Sequence, residues 1–175
     1  MDNYTDNLKF LQEESTKKVE PKEFILSHCS NDLKSEPGTE WAYSNSGYFV
    51  LGAVIEEVTG KNYEDVLQEN IFTPLRMTNS SIEVTGKAYE NKASGYNNTL
   101  GELTPARPLD MTIPFSAGSI ISTVEDMFKW DQALYTDKVL MNVSKEKMFT
   151  PVMNNYGYGW QIIEQPIGDM KKKVI

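Results

Sequence analysis

The sequence predicts an α+β chain in which helices dominate, and three stretches carry that expectation. Ser46 to Thr59 is an unbroken apolar run at helical spacing. Ser122-Thr123-Val124-Glu125 has the Ser-x-x-Glu pattern that opens a helix with a capping box. Tyr156 to Glu164 alternates loosely among glycines, as a strand does.

Taken in order, a first helix is expected over about Asp6 to Glu14, with Asp6 as its cap and Leu8 and Leu11 inward. A second follows Pro21, over about Lys22 to Cys29, because proline is tolerated at the first helical position. In the strongest helix, Tyr48, Leu51, Ile55 and Val58 recur at helical spacing, and Phe49 and Val54 widen the stripe, so most of it is expected to be buried. Gly60 ends it. Asn62 with Asp65 reads as a cap and a first-turn acid, opening a helix to about Ile71 that Pro74 stops. Thr78 to Pro114, rich in Asn, Thr, Gly and Pro, reads as loops with short strands, one of them Ala88 to Tyr96. After Ser122, the residues Met127, Trp130, Ala133 and Leu134 form an inward face ending at Tyr135, and Ser144 caps a short helix that stops before Pro151. No internal repeat is visible.

With 175 residues and 39% of them hydrophobic, the chain is long enough to bury a core. A formal charge of -8 and a pI of about 4.7 argue against a nucleic-acid partner, since phosphate binding needs clustered Lys and Arg. The run Lys171-Lys172-Lys173 is too short to change that, and reads as a solvated strand edge. The single cysteine, Cys29, excludes an internal disulfide; with no downstream histidine to activate it, it reads as a small buried residue. The only histidine, His28, is its neighbour, so no cluster has metal-ligand spacing, and no cofactor is expected. No apolar run reaches the length of a membrane span, and the first residues lack a signal-peptide pattern.

Tyr43-Ser44-Asn45 stands directly before the strongest helix. A phenol beside a helix N-terminus can act as a general base, because unpaired N–H groups and the macrodipole favour negative charge there. An amide two residues later can donate and accept hydrogen bonds toward a substrate. The alternative is an ordinary half-buried tyrosine followed by a helix cap at Asn45 or Ser46. Trp41, Tyr96 and Tyr156 read as core or rim aromatics, with a cleft-lining role as the alternative. Ala117 and Gly118 in Ser116-Ala117-Gly118-Ser119 suit either close helix packing or the rim of a site.

The run Glu36-Pro37-Gly38-Thr39-Glu40-Trp41-Ala42-Tyr43-Ser44-Asn45-Ser46-Gly47-Tyr48, continued through the helix to Met77, resembles the penicillin-recognising serine hydrolases of the class C β-lactamase and D-alanyl-D-alanine carboxypeptidase type. Ser116 to Thr123 with the following Val-Glu-Asp-Met-Phe-Lys-Trp is similar to that family's glycine-bearing segment and next helix. Tyr156-Gly157-Tyr158-Gly159-Trp160 resembles the strand that re-enters its central sheet. The likeness covers about Pro21 to Trp160. It implies a mostly helical lobe of the β-lactamase/transpeptidase-like fold, with short strands and part of the central antiparallel sheet.

The family uses a Ser-x-x-Lys, a Tyr-x-Asn or Ser-x-Asn, and a Lys-Thr-Gly or His-x-Gly on a strand. Only the second is present with its surroundings. Ser15-Thr16-Lys17-Lys18 fits the first by pattern but lies in a charged run that Pro21 interrupts. It reads as a decoy, with Ser15 a solvated surface residue and Lys18 no catalytic partner. His28 lacks the trailing glycine, and Lys-Thr-Gly occurs nowhere. The expectation is therefore residues 1–175 as one incomplete domain, an internal segment of a larger enzyme that lacks the first-motif helix and the third-motif strand. In that enzyme the resemblance implies Tyr43 as the phenolic member of the lysine and tyrosine pair that takes the serine's proton. Asn45 would hold the acyl side-chain amide of a β-lactam or a peptidoglycan-like peptide. The segment alone is expected to be inactive and to self-associate through newly exposed surface, especially near Tyr156 to Ile163. The parent is expected outside the cytoplasm. The other class left open is a non-catalytic wall-peptide-binding or interaction module built on this fold.

Overall fold

Phe49 lies at the centre of an aromatic cluster, 4.6 Å from the Phe24 ring, 5.1 Å from Phe115 and 6.3 Å from Tyr4, centroid to centroid. These contacts come from a computed structural model that describes residues 1–167 and 170–174, with the side chains of 167 and 170–174 excepted. The chain forms two compact units. The first comprises Met1–Lys34, Ser44–Asp65 and Ser81–Ile121, and the second Ser35–Tyr43, Val66–Ser80 and Ser122–Ile175.

In the first unit, a 3-10 turn at Tyr4–Asp6 leads into α1 (Leu8–Glu13), and α2 (Pro21–Phe24) runs on as a wide π turn over Ile25–Cys29. Asn7, and not Asp6, caps α1: its side chain accepts the Phe10 N–H at 3.1 Å. The helix therefore turns Phe10 inward, while Leu8 is exposed and Leu11 only packs against the edge of the core. Tyr4, Phe10, Phe24, Cys29, Phe49 and Ile113 form that core. Each fully buried aromatic of this kind contributes about 1.5–3 kcal/mol relative to exposure. Cys29 is buried as expected; burial pushes its thiol pKa up, against a hydrogen bond with Ser46.

The long helix α3 (Asn45–Thr59) ends where expected, with Gly60 left-handed at φ 67°. Its buried face is not the aliphatic stripe. Ser46, Phe49 and Gly52 are buried, whereas Leu51, Val54 and Val58 are exposed. Gly52 decides this orientation, since a Cβ there would lie 2.0 Å from Ser116 Oγ and 2.7 Å from Phe115 Cε1. Ser116, in the 3-10 turn Phe115–Ala117, donates instead to the Tyr48 carbonyl at 2.7 Å. The Ser116 segment is thus a packing element against α3.

Two antiparallel ladders belong to this unit: β1 (Ser81–Ile82) pairs with β4 (Ile120–Ile121), and β2 (Tyr96–Thr99) pairs with β3 (Glu102–Pro105). The strand expected over Ala88 to Tyr96 starts at Tyr96 instead. Leu100 and Gly101, both left-handed, make a two-residue hairpin turn there, and the Gly95 carbonyl already accepts from Ala106.

α4 (Tyr63–Leu67) continues as a π turn over Gln68–Phe72 into α5 (Thr73–Leu75). Pro74 does not stop this run. It falls where the π turn passes into α5, and left-handed Arg76 closes the helix.

In the second unit, α6 (Val124–Leu134) is capped by Thr123, whose Oγ1 accepts the Asp126 N–H at 3.3 Å. Ser122, expected as the cap, is hydrogen-bonded to Ser80 Oγ at 2.8 Å. Of the expected inward face Ala133 is buried, while Met127 is half exposed. Asp126 is fully buried: Oδ2 accepts from Asn79 N–H (2.7 Å) and Ser80 Oγ (2.9 Å), and Oδ1 meets the Lys129 ammonium at 2.7 Å. α7 (Asn142–Met148) starts before Ser144, whose N–H already donates to the Met141 carbonyl within its first turn.

The expected Tyr156 to Glu164 strand is replaced by single bridges, Tyr156 with Met153 and with Gln161, and the regular strand β5 (Ile163–Ile167) begins later, antiparallel to β6 (Met170–Val174). Left-handed Asn154 and Asn155 and a turn closed by Gly157 N–H to Trp160 O at 2.8 Å interrupt the alternation. The lysine run lies on β6, and its side chains fall outside the described residues.

Candidate active site

The segment that delivers the Tyr-x-Asn pair has no regular secondary structure until Ser44, which is extended and caps α3. Its Oγ accepts the Gly47 N–H at 3.0 Å, so the capping role expected of Asn45 or Ser46 falls to Ser44. That frees the residues on either side of it for other bonds.

Asn45 is the first residue of α3. Its backbone N–H donates to Asn3 Oδ1 at 3.0 Å, and its side-chain Nδ2 donates to Thr5 Oγ1 at 3.1 Å. One residue on, buried Ser46 accepts the Tyr4 N–H at 2.9 Å. Three consecutive residues of the N-terminal turn therefore grip the start of α3, leaving Asn45 half-buried with its amide plane fixed. Asn3 and Thr5 carried no signal in the sequence, because the contact closes over some 40 positions.

Tyr43 lies in the second unit with 55% of its surface exposed. Its ring meets the Tyr156 ring edge to face, with centroids 6.5 Å apart and planes at 88°. Trp41 packs on the same ring at 5.4 Å. Trp41 and Tyr156 are thus rim aromatics, whereas Tyr96 stands on the exposed hairpin.

Ser15 follows α1 and is buried, not solvated. Its hydroxyl donates to the Leu11 carbonyl at 2.6 Å, and its own carbonyl accepts the Asp110 N–H at 2.8 Å. Lys18 points its ammonium at Glu20, 3.3 Å away, with both side chains largely exposed. His28 stacks on the Phe10 and Phe24 rings at 4.6 and 4.7 Å. Asp110, beside Ser15, is mostly buried. Burial opposes its charge, but hydrogen bonds from the Thr112 hydroxyl and N–H, from Thr85, and the charge of Lys18 together hold its pKa below the ordinary carboxylate value.

Comparison with known proteins bears on the chain as a whole. The family model described as Beta-lactamase matches residues 15–168. PbpX of Bacillus subtilis (strain 168), named as a penicillin-binding protein, is 35% identical over 146 residues, covering 82% of this chain and 37% of the relative. Among solved structures, the penicillin binding protein from Bacillus halodurans superposes with a TM-score of 0.75 at 25% identity, over 94% of this chain and 52% of that one. D-amino acid amidase from Ochrobactrum anthropi SV3, solved with L-phenylalanine, gives 0.74 at 25% identity over 98% of this chain and 51% of that one. The chain spans about a third of the length of the curated relatives it matches and about half that of the solved ones. With its helical units, short antiparallel strands and matched central region, the chain belongs to the beta-lactamase family of serine hydrolases.

Proposed function

We propose that this chain is the Tyr-x-Asn-bearing part of a serine acyl-transfer enzyme whose substrate is a β-lactam or a peptide ending in a D-amino acid. In this reading Tyr43 is the phenolic half of the pair that receives the nucleophile's proton, and Asn45 hydrogen-bonds the amide of the acyl side chain. The observation that carries it is the clamp on Asn45: an amide fixed at a helix start by Asn3 and Thr5 is preorganised, which an asparagine serving only as a solvated cap has no need to be. The amidase and penicillin-binding names of the structural neighbours support a carbonyl bearing a nitrogen leaving group.

The attacking serine belongs to a segment of the enzyme other than this one. Ser15 is a poor candidate, since its hydroxyl is turned to the Leu11 carbonyl and Lys18 to Glu20. An acyl-enzyme divides one difficult transfer into two easier ones, but it requires both that serine and an oxyanion hole. The 175-residue chain alone is accordingly inactive, and the enzyme works outside the cytoplasm, where wall peptides are found.

Intact-protein mass spectrometry after incubation with a penicillin tests this on the chain and on a longer protein that contains it. An adduct on the longer protein alone supports the reading. An adduct at Ser15 of the short chain refutes it. If neither forms an adduct, the longer protein must still turn over a lactam, D-peptide or ester, with Tyr43→Phe lowering the rate; otherwise the hydrolase reading is lost.

A further inference from the structure

Tyr156 sits on a tightly built turn of the second unit. Its N–H donates to the Met153 carbonyl at 2.9 Å, and its carbonyl accepts from Val152 at 3.3 Å. The next residue, Gly157, leaves no room for a side chain, since a Cβ there would stand 2.2 Å from the Met148 carbonyl oxygen and 2.8 Å from Ile162 Cδ1. Tyr158 N–H donates to that same Met148 carbonyl at 2.9 Å, and Ile162 N–H reaches back to Asn155 O at 2.7 Å. The backbone that carries the half-buried Tyr156 ring is thereby fixed on both sides.

The opposite partner comes from a segment without regular secondary structure. Trp41 and Tyr43 are alternate residues of a stretch without helix or strand, and alternate residues of an extended chain face the same side. Both rings land on Tyr156, Trp41 at 5.4 Å and Tyr43 edge-on at 6.5 Å, within the range where aromatic pairs attract. An edge-to-face contact favours one relative orientation of two rings over the others. A fixed ring beside the Tyr43 phenol selects one.

We infer that Tyr156 is a positioning residue for Tyr43, holding the phenol in the orientation that proton transfer needs, with Trp41 bracing the pair. This rests on the reading of Tyr43 as a catalytic base. The Gly157 turn, in this view, serves to aim a side chain in addition to folding the chain. The contact between Tyr43 and Tyr156 is ring to ring, so phenylalanine should substitute for Tyr156 and an aliphatic residue should not.

The test compares Tyr156→Phe with Tyr156→Leu, and with Tyr156→Met should the leucine variant lose its fold by circular dichroism. In the 175-residue chain with labelled tyrosines, the three-bond scalar couplings of Tyr43 should report a single χ1 rotamer in the phenylalanine variant and averaging over rotamers in the leucine one. In the longer enzyme, acylation should slow by roughly tenfold to a hundredfold in the leucine variant, as expected for a displaced catalytic group, and recover with phenylalanine. A single, unchanged Tyr43 rotamer in the leucine variant overturns the inference. So does rotamer averaging with unchanged acylation in an enzyme that Tyr43→Phe cripples. If Tyr43→Phe leaves acylation intact, the reading of Tyr43 falls, and the inference falls with it for that separate reason.

Discussion

The hydroxyl of Ser116 donates to the carbonyl of Tyr48 at 2.7 Å across the gap left by Gly52, which has no side chain to fill it. This fixes which face of α3 is buried and so where its first residue, Asn45, is presented. Gly52→Ala is expected to destabilise the chain by about 1–3 kcal/mol, the usual cost of overpacking a filled core. Urea unfolding should show the loss, and Ser116→Gly in the same chain should restore part of it by removing two of the three clashing atoms, the third being Phe115 Cε1.

Thr5→Val removes the acceptor for Asn45 Nδ2 with little change of shape. A loss of about 0.5–1.5 kcal/mol is expected, with Thr5→Ser close to neutral. A double-mutant cycle with Asn45→Ala should show the two side chains to be coupled; additive effects would mean that the bond contributes nothing.

Asp126 governs the acid stability of the second unit. Its burial favours the neutral acid, yet the Lys129 ammonium, Asn79 N–H and Ser80 hydroxyl outweigh burial and hold its pKa below the ordinary 3.8. The unfolded chain then takes up the proton first as pH falls. The stability from this group is whole above 3.8 and is lost as pH drops through the lower folded pKa. Asp110 acts in the same direction in the first unit. Unfolding followed from about pH 6 to about pH 2 should weaken only in its acid limb, with a shallower slope in Asp126→Asn. Asp126→Ala, which takes the buried acceptor from the Asn79 N–H and the Ser80 hydroxyl while the partly exposed Lys129 keeps the Arg76 carbonyl, should cost about 1–3 kcal/mol at neutral pH.

Leu51, Val54 and Val58 line one exposed side of α3, Val58 at 80%. Tyr158 and Ile163 are exposed near β5. Apolar surface of this kind promotes association, so the average mass from light scattering is expected to rise with concentration and to fall back in Val58→Glu. A constant monomer mass over a wide range would contradict this.

What could be read from the sequence was local. The existence of α3 and its end at Gly60 follow from spacing and one conformational need, and both are found. The buried face was not legible, because the sequence offered large aliphatics and the fold chose the small residues Ser46 and Gly52 so that Ser116 could approach. The cap of α6 was misplaced by one residue because the Ser122 hydroxyl has a distant competitor in Ser80. Ser15 was misread as solvated for a related reason: Asp110, which lies against its carbonyl, is 95 positions away in a charged sequence that gave no hint of burial. Tyr43 and Asn45 were visible as a motif, but Thr5 and Tyr156, the side chains that hold them, became visible only in three dimensions.

The hairpin of β2 and β3 has every residue exposed, and its tip, Leu100-Gly101, has both residues left-handed. Such a tip is a place where foreign sequence can be spliced in with little damage, since no packed side chain depends on the length of the loop. It is therefore the natural address for an affinity tag, a fluorophore or a relocated pair of termini, and the place where a protease would be expected to cut first.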